Sequence, residues 1–201
     1  MGLFRIKNQK GCKKIIAKLS STYCASSLLL LDFLMGCTGK PDGVVPINNI
    51  DINRYQGVWY EIMRLDHRFE RGLSNVTATY DLKDDGTVDV LNRGFDREKC
   101  SWEEAHGTAE FLGDKTIASL SVTFFWPFSG GYHVFALDEK NYDYALISGP
   151  SRDFLWVMAR MPSLPVKIKS DLVRRAREEG FLVDLLLPVA HGSPTCLRKA
   201  K

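Results

Sequence analysis

The sequence lacks a hydrophobic run long enough to cross a bilayer as a helix, which needs about 20 apolar residues. Its N-terminal apolar stretch, ASSLLLLDFLM at 25–35, is shorter and contains an aspartate. The remaining composition is that of a folded protein, with 45% hydrophobic and 25% charged residues among 201. This excludes disordered and collagen-like chains, and the length predicts one domain or at most two small ones.

The sequence also lacks the residue patterns of common metal and catalytic sites. His67, His106, His133 and His191 are scattered, without the spacing of metal ligands. The segment 148–150 (SGP) is not a nucleophile elbow, and no phosphate-binding loop occurs. We therefore predict no metal, no cofactor and no catalytic residue, and nothing in these patterns indicates an enzyme.

The net charge is low, and its positive part is confined to one end of the chain. The whole sequence carries a formal charge of +3. Residues 1–36 contain six basic residues and one acid, whereas residues 37–201 contain 21 basic and 23 acidic residues. The body of the protein is therefore slightly acidic, which argues against a nucleic-acid partner.

Residues 1–37 combine a basic segment, a short apolar stretch and a small residue before a cysteine, the order typical of an export signal. Leu34-Met35-Gly36-Cys37 resembles a bacterial lipobox, which implies a signal peptide over 1–36 and a diacylglycerol on Cys37. Several acyl chains together anchor a protein stably. Residues 37–50 are predicted to be the lipidated cysteine and a flexible tether. A frayed N-terminal helix of a cytosolic protein is the alternative.

Short runs of aromatic and β-branched residues alternate with turn signals from residue 55 to 160. They indicate an antiparallel sandwich or an up-and-down barrel. After Pro162, apolar residues recur at helical spacing, which predicts an amphipathic helix at about 165–179 and a tail at 184–201. The eight predicted strands are 57–66, 75–82, 87–95, 101–111, 116–125, 131–138, 143–149 and 153–160.

Gly57-Val58-Trp59-Tyr60-Glu61 resembles the first signature of the lipocalins, in which the tryptophan closes the barrel floor. Arg160 occupies the place of the arginine that packs over this tryptophan in that family. Four further blocks are similar to bacterial lipocalins of the outer membrane, namely 66–73, 76–80, 124–132 and 149–153. On these motifs the chain is identified as a member of the lipocalin family, within the calycin superfamily, over about residues 45–188.

This resemblance implies an all-β fold over residues 51–201, an eight-stranded antiparallel up-and-down barrel with one C-terminal α-helix packed on its wall. It also implies a lipoprotein of the outer membrane that faces the periplasm and binds a fatty acid or lysophospholipid. Such a protein would store or transport lipid for envelope maintenance. An enzyme acting on a lipid-like substrate and a structural lipoprotein without ligand are the alternatives, and a homodimer is left open.

Alternation along the first strand offers candidates for the barrel interior. If Trp59 points inward, Glu61 and Met63 do so too. The mouth is expected at residues 67–73 and 127–132, although aromatic residues there could equally be ordinary core. The candidate ligand-binding residues are Glu61, Met63, Phe69, Tyr80, Trp126, Phe128 and Tyr132.

The five cysteines form an odd number. Signal cleavage would remove Cys12 and Cys24, and lipidation would use Cys37. Many lipocalins bond an early-middle strand to the tail beyond the helix, so the resemblance implies a disulfide between Cys100 and Cys196. Two free thiols are the alternative.

Overall fold

The structure is a computed structural model that describes residues 38–197. The predicted signal peptide and Cys37 lie outside the described residues. A 3-10 turn at Val183–Leu185 precedes the last strand. The other elements in chain order are α1 (Ile52–Tyr55), β1 (Gly57–Leu65), β2 (Leu73–Leu82), β3 (Val88–Asp96), β4 (Ser101–Phe111), β5 (Ser119–Phe125), β6 (Phe128–Leu137), β7 (Tyr144–Ser148), β8 (Leu155–Ala159), α2 (Val166–Glu178) and β9 (Leu186–Pro188).

The strands β1–β8 form a closed antiparallel barrel. Each strand pairs with the next, and β1 pairs both with β8 and with β2. The predicted fold class is confirmed. Because the connections are hairpins, the β1–β2, β3–β4, β5–β6 and β7–β8 loops lie at one end, which we call the mouth. The other loops lie at the opposite end, which we call the closed end.

The sequence forms these strands because small apolar or aromatic residues alternate with polar ones. In β2, Val76, Ala78 and Tyr80 are buried, whereas Thr77 and Thr79 between them are more exposed. Successive side chains of a strand point to opposite faces, so one face of β2 lines the interior. The β2–β3 turn at 83–87 closes with the backbone of Lys83 donating to the Thr87 carbonyl over 2.9 Å.

Helix α2 covers the outer face of the barrel. Its buried residues Leu172 and Ala176 pack in one cluster with Leu146 of β7 and Val157 of β8. The basic residues of α2 face outward, where Arg174 lies 3.0 Å from the Asp171 carboxylate. The predicted helix is therefore amphipathic, with an apolar side on the barrel and a basic side in solvent. Within residues 38–197, no helix is both long and apolar enough to cross a membrane.

The segment 38–50 differs from the predicted flexible tether, because it packs along the barrel. The backbone of Ile47 donates to the Val134 carbonyl over 2.9 Å and accepts from Ala118 over 3.0 Å. Val44 is fully buried in the cluster beneath α2, and Ile50 is buried in the interior cluster. Glycine and proline at 39–46 suggested a linker, but these apolar side chains gain free energy by burial against the strands.

A ninth strand, which the sequence did not predict, fills a gap in the wall. β1 pairs with β2 from Gly57 to Tyr60 but no further. From Met63 onward it pairs with β9. The backbone of Asn75 in β2 donates to the Ala190 carbonyl over 2.7 Å. The tail after β9 therefore supplies the hydrogen bonds that β1 and β2 lose where they diverge.

Cys100 and Cys196 are joined by a disulfide, with their Cα atoms 5.1 Å apart and a sequence separation of 96 residues. The bond ties the β3–β4 loop at the mouth to the C-terminal tail. Beside it, the backbone of Leu197 donates to the Arg97 carbonyl over 2.8 Å.

Replacing both cysteines, by Cys100→Ser with Cys196→Ser, should lower the free energy of unfolding by up to about 4–5 kcal/mol, because a long loop of the unfolded chain is no longer closed. Urea unfolding of the wild type with and without reductant, beside the double variant, measures this. Reductant should destabilise only the wild type. Two reactive thiols in unreduced, folded wild-type protein would contradict the bond.

Candidate functional site

The closed end is held by Arg160 and Trp59. The Arg160 Cζ atom lies 4.1 Å from the centroid of the Trp59 ring. Its guanidinium donates to the Val58 carbonyl over 3.0 Å and to the Arg54 carbonyl over 2.7 Å. Gly57 has a φ of 87°, and a side chain there would approach Arg160 Nη1 within 3.5 Å. That distance is an ordinary contact, so the positive φ, which side chains of L-residues rarely adopt, is what favours glycine at the start of β1.

Three tyrosines form the inner floor above Trp59. The Tyr132 hydroxyl lies 2.7 Å from the Tyr55 hydroxyl and 2.9 Å from the Tyr80 hydroxyl. Burial raises the pKa of all three phenols, so they stay neutral. The void between these rings and the neighbouring aliphatic side chains is about 10 Å³, room for about one water molecule. The closed half of the barrel is therefore filled with side chains.

A β-bulge in β1 decides which of its residues reach the interior. Glu61 pairs with Met158, but the next pair is Met63 with Val157, so Ile62 is the extra residue. Ile62 and Met63 both pack in the outer cluster beneath α2. The prediction that Met63 lines the interior is therefore wrong, because regular alternation stops at the bulge.

A buried hydrogen-bonded pair, Arg64 and Glu61, lies inside the barrel toward the mouth. Arg64 Nη1 donates to Glu61 Oε1 over 2.7 Å, and both side chains are almost completely buried. Arg64 Nη2 donates to the Glu70 carbonyl over 2.6 Å and to the Leu73 carbonyl at 3.3 Å. The Arg64 guanidinium thus binds the Glu61 side chain and also two backbone carbonyls where the β1–β2 loop leads into β2.

The Glu70 side chain turns back from this loop toward the interior. Its Oε2 accepts a hydrogen bond from Trp156 Nε1 over 3.1 Å and lies 3.2 Å from His67 Nε2. The side chain of His67 is only 9% exposed, and neither of its ring nitrogens has a hydrogen-bond partner within the described chain. This cluster presents a carboxylate and an unpartnered imidazole at the inner edge of the mouth.

The two carboxyl groups of this cluster differ in pKa. Burial raises the pKa of Glu61 well above its usual value, and the nearby Glu70 charge adds to this against the opposing effect of Arg64. Burial also acts to raise the pKa of Glu70, but the nearby His67 ring and hydrogen bonds from Glu61 and Trp156 outweigh it and hold that pKa below its usual value. Glu70 is therefore the member that carries the negative charge.

The open half of the barrel has small residues on one wall. Ala105 and Gly107 of β4 pair with Asn92 and Val90 of β3, on the same face as the core residue Ala109. All of Asn92, Ala105 and Gly107 are only half-buried, although this face points inward. Phe124 packs against the interior cluster and covers Gly107. The interior wall is therefore built from smaller and more exposed residues toward the mouth than at the closed end.

Three candidate ligand residues lie outside this interior. Phe69, Trp126 and Phe128 are 62%, 85% and 61% exposed. They belong to the β1–β2 loop and to the tip of the β5–β6 hairpin, where Phe128 is the first residue of β6. These three side chains therefore lie on the rim of the mouth rather than in the interior.

The structure thus places the sequence-derived candidates in three groups. Glu61, Tyr80 and Tyr132 lie inside the barrel, Met63 lies outside it, and three aromatics lie on the rim. The sequence reasoning missed Arg64, Glu70 and Trp156, and only the charge of Arg64 within a strand was a usable signal, because a charge there needs a partner. No group of three or more His, Cys, Asp or Glu within residues 38–197 is placed to hold a metal.

Replacing the closing arginine, Arg160→Ala, should lower the free energy of unfolding by about 2–4 kcal/mol, since it removes a cation–π contact and charged hydrogen bonds. Chemical denaturation measures the change. Arg174→Ala, an exposed residue of α2, is the control and should change stability by less than about 0.5 kcal/mol. Equal losses in the two variants would show that the contact over Trp59 adds nothing.

The Glu61 carboxyl should make stability fall as the pH rises. Because its pKa is raised by folding, the native state keeps a proton that the unfolded chain releases above about pH 4.3. Each pH unit between the pKa of Glu61 in the unfolded chain and its pKa in the native state then lowers the free energy of unfolding by about 1.4 kcal/mol. Urea midpoints from pH 4.5 upward should decline less in Glu61→Gln than in the wild type or in Glu110→Gln, an exposed control. Parallel pH profiles of all three proteins would refute this role.

The chain matches the family model described as a lipocalin-like domain over residues 50–191. It is 45% identical over 163 residues to an outer membrane lipoprotein Blc of Vibrio cholerae, which covers 81% of this chain and 95% of that protein. It is 50% identical over 141 residues to the outer membrane lipoprotein Blc of Escherichia coli K12, covering 70% of this chain and 79% of the relative.

Among solved structures, the fold is similar to insecticyanin from the tobacco hornworm Manduca sexta, with a TM-score of 0.63 and 20% identity. That match covers 79% of this chain and 90% of insecticyanin, and at this identity it supports the fold alone. The closed barrel, the tryptophan under an arginine and the family match agree with one another. The chain belongs to the lipocalin family.

Proposed function

We propose that this lipocalin binds a lipid with one long acyl chain, a fatty acid or a lysophospholipid, and stores or transports it at the outer membrane. The observation that carries the proposal is the contrast between the two halves of the barrel. Side chains fill the closed half up to the tyrosine floor, whereas the inward face of β4 nearer the mouth carries the small, only half-buried residues Ala105 and Gly107.

The acyl chain would lie along the small-residue wall of β4. From Gly107 to Ser101 this strand runs toward the mouth for about 20 Å, which suits a single chain entering end first. Phe124, Trp156 and Met158 face the same space from other strands. Each buried methylene contributes about 0.8 kcal/mol before the cost of ordering the chain, so micromolar to nanomolar affinity is within reach.

The polar end of the lipid would remain at the inner edge of the mouth. His67 and Glu70 lie there, and the unpartnered His67 nitrogens can serve a carboxylate, hydroxyl or phosphate oxygen once the ring is protonated or turned. A buried imidazole without a partner costs free energy in the empty protein. A ligand that donates or accepts there removes this cost.

The chain would be anchored through a diacylated Cys37 after loss of residues 1–36. The relatives that carry the name outer membrane lipoprotein are similar over most of this chain. The lipobox-like segment 34–37 and the acyl anchor predicted from it support the same location. We include in this proposal that the anchored protein faces the periplasm.

The proposed role is to bind lipid without catalysing a reaction. The interior groups that could act as acids or bases, Glu61 and Glu70, are occupied by Arg64 and Trp156 in structural contacts. The enzyme alternative would require turnover that depends on one of these carboxyls or on a histidine such as His67, and the structural alternative would require an interior that takes up no lipid.

Filling the open half should abolish lipid uptake. Ala105→Trp puts a large side chain on the inward face of β4, and we expect affinity for a fluorescent sixteen-carbon fatty acid to fall at least about tenfold, because the chain loses its place. The matched control is His106→Trp, the neighbouring residue on the outward face. Fluorescence titration measures binding, and thermal melts verify that both variants fold.

Lipid extracted with protein purified from membranes provides the second arm of this experiment. Native mass spectrometry should find a fatty acid or lysophospholipid on the wild type and on His106→Trp, but not on Ala105→Trp. If the gentler Ala105→Leu and the tryptophan variant both bind like the wild type, the open half is not the site. If the wild type takes up no acyl lipid at micromolar concentrations, the function itself is wrong.

A further inference from the structure

The tip of the β5–β6 hairpin exposes aromatic side chains in a stretch of sequence without charged residues. Phe125, Trp126 and Phe128 are 73%, 85% and 61% exposed, and Pro127 lies between the last two. The chain carries no Lys, Arg, Asp or Glu from residue 116 to residue 137. An uncharged aromatic tip can enter a lipid interface without desolvating a charge, and tryptophan is especially favoured there.

A second aromatic residue lies on the other side of the mouth. Phe69 in the β1–β2 loop is 62% exposed, and the Arg68 Cζ atom lies 5.4 Å from its ring centroid. The loop and the hairpin are at the same end of the barrel but four strands apart. At a bilayer surface, an arginine can bind a phosphate headgroup while the neighbouring aromatic ring contacts the apolar chains below it.

The N-terminal segment enters the described structure at this same end. A Cβ atom on Gly131 would lie 2.8 Å from the Gly39 carbonyl oxygen and 2.9 Å from that of Thr38, so only glycine lets the segment pass over β6. His133 Nε2 donates to the Gly39 carbonyl over 2.9 Å and fixes the segment there. Gly131 is three residues from Phe128, or about 10 Å along the strand.

This placement sets where an anchor on Cys37 would emerge. Cys37 is the residue before Thr38, and Arg152, in the β7–β8 loop at the mouth, donates to the Asp42 carbonyl over 2.6 Å. Two contacts therefore hold the start of the segment 38–50 beside the mouth, rather than at the closed end. The acyl chains of Cys37 and the hairpin tip would reach the same side of the molecule.

We propose that the mouth faces the bilayer, with the tip Phe125–Phe128 inserted in the leaflet that holds the acyl chains of Cys37. The inference rests on the proposed lipid anchor and adds an orientation to it. Because Gly39 and Asp42 are held beside the mouth, few residues separate the barrel from Cys37, and the mouth cannot turn far from the membrane. A lipid would then pass between leaflet and barrel without crossing open water.

Depth-dependent quenching of tryptophan tests this orientation. Protein expressed from the full chain is extracted from membranes and reconstituted into vesicles of phosphatidylethanolamine and phosphatidylglycerol, some with brominated acyl chains. The expected result is quenching that is mostly lost in Trp126→Phe. The control is Trp102→Phe, an exposed tryptophan on the outer face of β4, which should leave quenching unchanged.

A second pair of variants tests insertion itself. Phe125→Ser with Phe128→Ser should reduce quenching of Trp126 severalfold, because the tip no longer gains from burial in lipid. Thermal melts verify folding of this variant. Quenching that is the same with and without Trp126 overturns the proposal. So does a Trp126 emission that changes on dilution of vesicle-free protein, since the tip would then bind a second copy.

Free brominated fatty acid, added without vesicles, separates this proposal from the proposed function. It should quench Trp156 inside the barrel, and Trp126→Phe should not alter that quenching. Failure of this arm alone refutes lipid binding in the interior. Failure of the vesicle arm alone refutes the orientation and leaves lipid binding intact.

Discussion

Arg160 and Trp59 join the last long strand of the barrel to the first. The guanidinium covers the indole and donates to backbone carbonyls of α1 and β1, while Trp59 Nε1 donates to the Tyr55 carbonyl over 2.8 Å. Tyr55 in turn reaches the hydroxyl of Tyr132 on β6. Because each contact positions the next, the closed end is a filled and rigid floor, and any open interior must lie above it.

The bulge at Ile62 is the second constraint. It turns Glu61 and Arg64 into the barrel and Ile62 and Met63 toward α2, within a single strand. It also lets β1 leave β2, so that β9 and the tail complete the wall. Arg64 then binds the β1–β2 loop through backbone carbonyls. An irregularity in one strand thus supports the polar edge of the mouth.

The two ends of the barrel therefore have opposite characters. The closed end is filled with side chains, mostly apolar, and hydrogen-bonded within itself. The mouth has a polar inner edge around Glu70 and His67 and an aromatic outer rim at Phe69 and Trp126. A single-chain lipid has the same division between an apolar tail and a polar end. This match, with the entry of the N-terminal segment beside the mouth, connects the proposed ligand, the proposed anchor and the proposed orientation.

The sequence by itself determined the strand periodicity, the helix and the family signature around Trp59 and Arg160, because these depend on local alternation and on short motifs. It predicted Tyr80, Tyr132 and Glu61 as interior candidates, but it misplaced Met63, since one inserted residue reverses alternation without leaving a mark in composition. It also treated residues 38–50 as a tether. Tertiary structure alone decided that segment, β9 and the Arg64–Glu70 contacts. All of them depend on partners far apart in the chain, whose approach is set by closure of the barrel.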